Sequence, residues 1–496
     1  MSAKKEFGDF QTPESLASRV VALVDELFGK PEVVIEPTCG LGTFIQSAAE
    51  YWGEQLEYFG YEINKQYVKE SCKKLKRFKA TILHRDFFSE DWCGNLTTHK
   101  GKKLLLIGNP PWVTNSELGQ LGSQNLPKKS NAMGLRGFDA QTGKSNFDIA
   151  EWMLIRLIES LPDNAAMAML CKTMTARKVL KYFWKTQHGL NDAKLFRIDA
   201  KQEFNVSVDA CLFFVRSAKA CEPSSEVYAD LDLKLDSSRF GFVDGDLVSD
   251  IDAYRDHQYL DGDSVYTWRS GVKHDAAKVM EFNCDGDELI NGYGETIDIE
   301  QKYLYPLLKS SDLGNGRTKV RKKVLLTQRK IGDETLEIKE NAPKTWEYLV
   351  RHQTVLDGRK SSIYKKRPRF SVFGIGPYSF APWKVAVSGL YKSISFVVVP
   401  PVKKRPVMVD DTCYCVGCHS QEEAELIHDL LSSEEATTFL SSLIFSDSKR
   451  PITIDVLRRL SLEQLARRKG RFEELVELVN QGKSKAKLNS QMLLFN

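Results

Sequence analysis

The stretch Asn109-Pro110-Pro111-Trp112 has the residue types needed to hold a flat heterocycle that bears an amino group. Its prolines fix φ at about −65° and lack N–H donors, and the residue before a proline is kept out of the helical region. The side-chain oxygen of Asn109 and the backbone carbonyl of Pro110 could then accept the amino hydrogens, while the Trp112 indole stacks on the ring. The same residues also suit a proline-rich turn that ends in a core tryptophan.

Three acidic residues upstream of this motif each lie at the end of a strand-like apolar run. They are Glu36, Glu62 and Asp86. Ligands of open α/β sheets bind outside the carboxyl ends of the strands, where a carboxylate can accept from both hydroxyls of a ribose. Glu62 suits that role, and Asp86 could accept from the amino group of an adenine with Phe87 against the ring. A single such carboxylate is typical of a solvated strand end, but three consecutive ones indicate a ligand site.

A glycine-containing loop follows the first of these strands and precedes a helix. Gly40 and Gly42 permit a tight turn and a close backbone approach to a ligand. Only two glycines occur at this spacing, so the loop is not the three-glycine fingerprint of dinucleotide-binding proteins. A plain strand-to-helix turn explains the loop equally well.

The elements that must position these residues alternate between strand-like runs and amphipathic stretches over 1–216. This rhythm predicts a Rossmann-like α/β fold, with a mostly parallel, doubly wound sheet and helices on both faces. Over 217–420 the rhythm is lost, which indicates a separate mixed α+β domain. Helical periodicity returns over the C-terminal segment 421–496, where it predicts helices at 422–431, 433–443 and 457–478.

The length and composition fit a globular protein of two or three domains. The chain has 496 residues, 42% of them hydrophobic and 27% charged. No apolar run reaches the roughly 18 residues of a membrane span, and the N-terminal segment lacks the apolar core of a signal peptide. Ten cysteines over this length predict free thiols in a reducing cytosol. We therefore expect a cytoplasmic monomer without a membrane role.

A cysteine-rich stretch near the C-terminus resembles a metal cluster only in composition. It contains Cys413, Cys415, Cys418 and His419. The spacing is not that of a usual structural zinc site, so we expect no metal.

The net charge of +4 is distributed unevenly along the chain. Residues 217–299 carry 7 Lys/Arg and 19 Asp/Glu, whereas residues 300–410 carry 23 Lys/Arg and 9 Asp/Glu. Aromatic residues interleave the basic ones, which favours a nucleic-acid-binding face. Alternatively, the two segments neutralise each other across an interface. The candidate DNA contacts are Arg321, Lys322, Arg329, Lys366, Arg367 and Arg369.

In order and content, these motifs resemble the S-adenosylmethionine-dependent amino-methyltransferases of DNA. The match is to the gamma class, in which cofactor motifs come first, then the catalytic Asn-Pro-Pro-aromatic motif, then a target-recognition domain. Many adenine-N6 methyltransferases of type II restriction-modification systems belong to this class. The resemblance covers about residues 5–216 motif by motif, and a weaker similarity extends to the basic segment beyond.

The resemblance implies a role for each candidate residue. Asn109, Pro110, Pro111 and Trp112 would form the catalytic motif, with tryptophan where many relatives carry tyrosine. Phe204 would stack with Trp112 on a flipped target base, although a core aromatic is the alternative reading for Phe204. The cofactor would be held by Thr12, Glu36, Thr38, Cys39, Gly40, Gly42, Glu62, Ile63, Asp86 and Phe87.

The resemblance also implies S-adenosylmethionine as cofactor, double-stranded DNA as substrate, and a partner restriction endonuclease of the same recognition sequence in a bacterial or archaeal cytoplasm. Cytosine-N4 methylation uses the same amino geometry and stays open. RNA and protein-glutamine methyltransferases share an Asn-Pro-Pro-aromatic site, but the long extension with its basic segment favours duplex DNA. A catalytically silent nucleic-acid-binding protein is the alternative from another class.

Overall fold

The computed structural model describes residues 10–113, 148–285 and 288–492. By internal contacts the chain divides into two compact units, the first ending at Ile251 and the second beginning at Asp252. The predicted boundary at residues 216/217 lies earlier than this division. Three further strands after residue 217 continue the sheet of the first unit, since β8 pairs in parallel with β6.

The first unit contains a ten-stranded sheet. Its strands are β1 (Val33–Glu36), β2 (Glu57–Glu62), β3 (Thr81–His84), β4 (Leu104–Gly108), β5 (Ala165–Lys172), β6 (Leu190–Ile198), β7 (Ala210–Ser217), β8 (Ser224–Tyr228), β9 (Ser237–Val243) and β10 (Asp246–Val248). The helices are α1 (Glu14–Phe28), α2 (Thr43–Trp52), α3 (Lys65–Lys74), α4 (Trp92–Thr97), α5 (Ile149–Glu159), α6 (Thr173–Thr186), α7 (Ala200–Phe204) and α8 (Ile251–His257), which spans the division.

The strand order β10-β9-β8-β6-β7-β5-β4-β1-β2-β3 confirms the predicted mostly parallel α/β fold. Strands β3, β2, β1, β4 and β5 pair in parallel, while β7 lies antiparallel between β5 and β6. Every residue of β1 and β4 is buried, as expected for central parallel strands covered by helices on both faces. The carboxyl ends of β1 to β4 therefore meet at one edge of the sheet.

The second unit contains two smaller sheets. The four-stranded sheet has the order β11-β19-β16-β17, and the five-stranded sheet has the order β13-β12-β15-β14-β18. Their strands are β11 (Arg269–Ser270), β12 (Glu281–Asp285), β13 (Glu288–Ile290), β14 (Leu304–Leu308), β15 (Lys322–Leu325), β16 (Trp383–Ser388), β17 (Phe396–Val399), β18 (Met408–Val409) and β19 (Cys413–Cys418). The helices among them are α9 (Ala277–Met280), α10 (Ser310–Leu313), α11 (Ile338–Asn341), α12 (Pro343–Arg351) and α13 (Gln353–Asp357). This mixture confirms the α+β character predicted for the C-terminal half.

The chain ends in helices, although not all of them are as predicted. The first two predicted helices are confirmed, but the stretch 457–478 belongs to more than one helix. A short break occurs before Ser461, whose side chain caps the next helix, and a second break occurs at Gly470, where φ is 68°. A serine cap and a left-handed glycine interrupt helices regardless of the apolar spacing around them. The helices are α14 (Gln421–Leu431), α15 (Glu434–Ser442), α16 (Ile454–Leu457), α17 (Leu462–Arg468) and α18 (Phe472–Met492).

All ten cysteines are free thiols, as the sequence predicted. No helix in the described part of the chain is long and apolar enough to cross a membrane. Within the described ranges, no group of three or more His, Cys, Asp or Glu side chains is placed to hold a metal ion.

Candidate active site

A cleft lies at the carboxyl ends of β1 to β4 and brings most of the predicted site residues together. Four of the predicted site residues do not line this cleft: Gly42, Pro110, Trp112 and Phe204. The predicted residues that line it are Thr12, Glu36, Thr38, Cys39, Gly40, Glu62, Ile63, Asp86, Phe87, Asn109 and Pro111. Lining residues that sequence reasoning did not single out include Asn64, Tyr67, Val113 and Met153.

The loop between β1 and α2 owes its shape to its two glycines. Both adopt the left-handed conformation, with φ of 51° at Gly40 and 74° at Gly42. A Cβ on Gly42 would lie 2.5 Å from Cδ1 of Leu75. Gly42 therefore shapes the turn that starts α2 without lining the cleft, whereas Gly40 does line it.

Glu62, at the end of β2, ties this loop to the sheet. Its Oε2 accepts from the backbone N–H of Gly40 at 2.8 Å, and its Oε1 accepts from the backbone N–H of Asn64 at 2.7 Å. A carboxylate offers about four lone-pair positions. Two backbone bonds therefore fix the orientation of this carboxylate beside the cleft.

Glu36 and Cys39 are far more buried than Glu62. Glu36 is only 3% exposed and accepts from the backbone N–H of Ile45 at 3.3 Å, at the start of α2. Burial raises the pKa of the Glu36 carboxyl well above its ordinary value. Burial likewise raises the pKa of the Cys39 thiol, which keeps it protonated and makes it a poor nucleophile.

Asp86, Phe87 and Ile63 form the part of the cleft that was predicted to hold a flat ring. Asp86 Oδ1 accepts from the backbone N–H of Phe88 at 3.0 Å. Phe87 is buried against Trp92, with ring centroids 4.8 Å apart. Ile63, in contrast, is 39% exposed. An exposed apolar side chain beside a rigid aromatic and a carboxylate suits an aromatic heterocycle with an amino group.

The side chain of Asn109 is held by the segment that precedes α1. Its Nδ2 donates to the carbonyl of Phe10 at 3.0 Å and to Oγ1 of Thr12 at 3.3 Å. These two bonds turn Oδ1 away from that segment, and Oδ1 is buried without a hydrogen-bond partner among the described residues. A buried acceptor left unpaired costs about 1–3 kcal/mol. The geometry therefore presents an acceptor that only a ligand donor would satisfy.

The backbone at Asn109 is fixed as well. Thr38, in the loop after β1, donates from its hydroxyl to the Asn109 carbonyl at 3.5 Å. This hydrogen bond joins the loop after β1 to the segment Asn109–Trp112, which follows the neighbouring strand β4.

Trp112 and Phe204 lie in contact but not in parallel. Their ring centroids are 5.2 Å apart with an interplanar angle of 70°. Phe10, which sequence reasoning did not identify as a stacking residue, contacts both rings, at 5.8 Å from Trp112 and 6.2 Å from Phe204. Trp112 is 5% exposed and belongs to the core of the first unit. A flat ring could enter between Trp112 and Phe204 only if the two side chains moved apart.

The six predicted DNA contacts fall into two groups in the second unit. Arg321 pairs with Asp312 at 2.6 Å, Arg369 pairs with Asp357 at 2.6 Å, and Lys322 lies 3.7 Å from Glu281. Of these three pairs, Lys322–Glu281 joins the basic segment to the acidic segment, as the alternative interpretation of the charge pattern expected, whereas the other two lie within the basic segment. The other three, which form no ion pair with a described carboxylate, are Arg329, Lys366 and Arg367.

No protein-family model matches this chain, but a curated relative and a solved structure each align with most of it. The type II methyltransferase M.NspV from Nostoc sp. (strain ATCC 29411 / PCC 7524) is 42% identical over 473 residues, covering 94% of this chain and 98% of the relative. The solved structure of MmeI, a type IIL restriction-modification enzyme in complex with DNA, aligns with a TM-score of 0.51 at 14% identity. That alignment covers 90% of this chain but 64% of MmeI, and it shows a shared fold.

Proposed function

The chain belongs to the type II methyltransferases of restriction-modification systems, and from this premise we propose that it transfers a methyl group from S-adenosylmethionine to the N6 amino group of an adenine in duplex DNA. The observation that carries the proposal is the unpartnered, buried Oδ1 of Asn109. It faces no donor among the described residues, and an exocyclic amino group supplies one. A partner restriction endonuclease with the same recognition sequence belongs to this proposal.

The residues of the cleft fit the proposed cofactor. Glu62, whose carboxylate is oriented by two backbone hydrogen bonds, would accept from the ribose hydroxyls. Ile63, Asp86 and Phe87 would hold the adenine ring. When bound, S-adenosylmethionine supplies an electrophilic methyl group on a sulfonium centre. The methionine end would lie along Thr12 and the loop, at Thr38, Cys39 and Gly40.

Asn109 and Pro110 would prepare the amino group for attack. The lone pair of an aromatic amine is delocalised into the ring, so the amine is a poor nucleophile. Acceptors at Asn109 Oδ1 and the Pro110 carbonyl would bind its two hydrogens, favour a pyramidal nitrogen and aim the lone pair at the methyl group. Alignment and fixed dipoles then supply the rate enhancement, and no general base is required if the proton leaves after transfer.

The target adenine would have to leave the helix stack before it could reach Asn109. We propose that Trp112 and Phe204 separate from their edge-to-face contact and receive the base. Stacking on aromatic side chains contributes about 1–3 kcal/mol per base. That gain would offset a large part of the few kcal/mol that unstacking costs.

The direct test is methyl transfer from cofactor labelled in its methyl group to unmethylated plasmid DNA, followed by digestion and nucleoside analysis. Label in N6-methyladenosine of the DNA supports the proposal. Label in N4-methylcytosine would assign the chain to the alternative cytosine reaction. Parallel incubations with RNA and protein should stay unlabelled, and label found there alone would refute DNA as the substrate.

Replacing Thr12 with valine should lower the rate of methyl transfer about tenfold, because the substitution removes one of the two acceptors that orient the Asn109 amide. A single hydrogen bond contributes about 0.5–1.5 kcal/mol. The matched control is Thr12→Ser, which keeps the hydroxyl and should stay close to the wild type. The measurement is the single-turnover rate at saturating cofactor and DNA. Equal rates for the valine and serine variants would exclude this positioning role.

Replacing Trp112 with leucine should weaken binding to a fully paired duplex about tenfold more than it weakens binding to a duplex mismatched at the target base. Unstacking a mismatched base costs less free energy, so its binding depends less on stacking against Trp112. Trp112 is buried, and truncating a core tryptophan to alanine costs about 3–5 kcal/mol. The control is therefore Trp112→Phe, which keeps a stacking ring. An equal loss on both duplexes would show that Trp112 acts only in the core.

A further inference from the structure

Arg329 differs from the other arginines of the basic segment in how its side chain is held. Most of them are neutralised by carboxylates: Arg317 and Arg321 by Asp312, Arg351 by Glu347, and Arg369 by Asp357. Arg359 is half-buried and donates to the carbonyls of Leu356, His274 and Ser371. Arg329 is exposed, and no carboxylate among the described residues pairs with its guanidinium.

Aromatic side chains hold Arg329 instead. Its guanidinium carbon lies 4.1 Å from the ring centroid of Phe380, and its Nη1 donates to the hydroxyl of Tyr305 at 3.4 Å. Tyr305 and Phe380 contact each other edge to face at 5.4 Å. A guanidinium stacked on an aromatic face keeps its charge while its plane is restricted.

The backbone that carries Arg329 is also fixed. Asp333 Oδ2 accepts from the backbone N–H groups of Arg329 at 3.1 Å and Lys330 at 2.9 Å. Gln328 donates from Nε2 to the Asp333 carbonyl at 2.6 Å, and its Oε1 accepts from the Val372 N–H at 3.0 Å. The turn 328–333 is therefore anchored at both ends, and Arg329 would lose little conformational freedom on binding a ligand.

Exposed cations lie near this turn. The Lys330 side chain is 75% exposed, with its Nζ 3.9 Å from Oδ1 of Asp333, and Lys366 and Arg367 are exposed and unpaired with any described carboxylate. A Cβ placed on Gly332 would lie 3.8 Å from Nη1 of Arg367, so Arg367 reaches the same turn. Exposed cations of this kind suit phosphate contacts, which position a protein on DNA without reading sequence.

We propose that Arg329 reads the major-groove edge of a guanine in the recognition sequence, and this inference rests on the proposed function above. An oriented guanidinium donates two parallel hydrogen bonds to O6 and N7 of guanine, an arrangement that no other base offers. The contact of one Nη1 hydrogen with Tyr305 leaves other N–H groups of the fork for the base. Lys366 and Arg367 would contact phosphates instead.

The test compares the sequences methylated by the wild type and by Arg329→Ala, Arg329→Lys and Lys366→Ala. Each protein is incubated with S-adenosylmethionine and a plasmid library of randomised sequence, and the methylated positions are mapped by sequencing. The wild type should require at least one G·C pair. Both Arg329 variants should lose preference at one G·C position by about 10- to 100-fold. Lys366→Ala should methylate every sequence more slowly and keep the wild-type preference.

A second probe replaces the guanine at that position with 7-deazaguanine, which lacks the N7 acceptor. The substitution should slow the wild type about tenfold and leave Arg329→Ala unaffected, because alanine has no donor for the N7 acceptor. The inference is overturned if the Arg329 variants keep every sequence preference, if they slow all sequences alike, or if the recognition sequence contains only A·T pairs. A wild type that methylates no DNA would overturn the proposed function itself, so the two failures are distinguishable.

Discussion

Replacing Asn109 with alanine is expected to lower the rate of methyl transfer by about 100- to 1000-fold while S-adenosylmethionine still binds within about threefold of its wild-type affinity. The expected magnitude is that of removing one fixed dipole from the place where charge develops in a transition state. Asn109 lies at the end of β4, and its Oδ1 is the buried acceptor without a partner among the described residues. Alanine removes this acceptor and leaves unchanged the carboxylate of Glu62, which is proposed to bind the cofactor.

The matched control for this prediction is Asn95→Ala. Asn95 is a partly buried asparagine of the same unit that donates to the hydroxyl of Tyr61 and to Glu90, and it does not line the cleft. Its replacement should lower the stability without lowering the single-turnover rate at saturating cofactor. Cofactor affinity is measured by calorimetry on each variant. A wild-type rate for Asn109→Ala would remove the basis of the proposed reaction.

The sheet and the predicted cofactor positions could be derived from the sequence because they depend on local patterns. Continuous apolar runs marked β1 and β4, and parallel strands place their carboxyl ends at one edge. Glu36 ends β1, Glu62 ends β2 and Asn109 directly follows β4, so their proximity needed no knowledge of tertiary packing.

The support of Asn109 could not be derived in the same way. Its partners Phe10 and Thr12 lie 99 and 97 residues away, and no local pattern links them. The first unit extends beyond residue 217 because β8 pairs with β6. Short apolar runs in the sequence do not predict which strand pairs with which. The pairing of Arg321 with Asp312 and of Arg369 with Asp357 likewise depends on how the second unit folds. A count of charges along the chain predicted a basic face but not which cations stay unpaired.

Replacing Glu62 with glutamine is expected to raise the dissociation constant for S-adenosylmethionine about 10- to 100-fold. The carboxylate accepts from Gly40 N–H with one oxygen and from Asn64 N–H with the other. Glutamine places an NH₂ group opposite one of these donors, so one bond is lost and two donors face each other. Hydrogen bonds to charged groups contribute about 1.5–3 kcal/mol, which corresponds to the expected change. Turnover at saturating cofactor should fall much less, since the acceptor proposed to bind the target amino group is Asn109 and not Glu62.

A cofactor analogue distinguishes two causes of a lower affinity: the loss of a direct ribose contact, and a less ordered loop at Gly40. If Glu62 accepts from the ribose, the wild type should bind S-adenosylhomocysteine more tightly than its 2′-deoxyribose analogue, and Glu62→Gln should bind both with similar affinity. If Glu62 only anchors Gly40, the variant should lose affinity for both ligands by the same factor. Glu50→Gln is the matched control, because Glu50 is an exposed glutamate of α2 that pairs with Arg77. An unchanged dissociation constant for Glu62→Gln would mean that this carboxylate neither holds the cofactor nor orders a loop that does, and the ribose would then have to be bound elsewhere along the cleft.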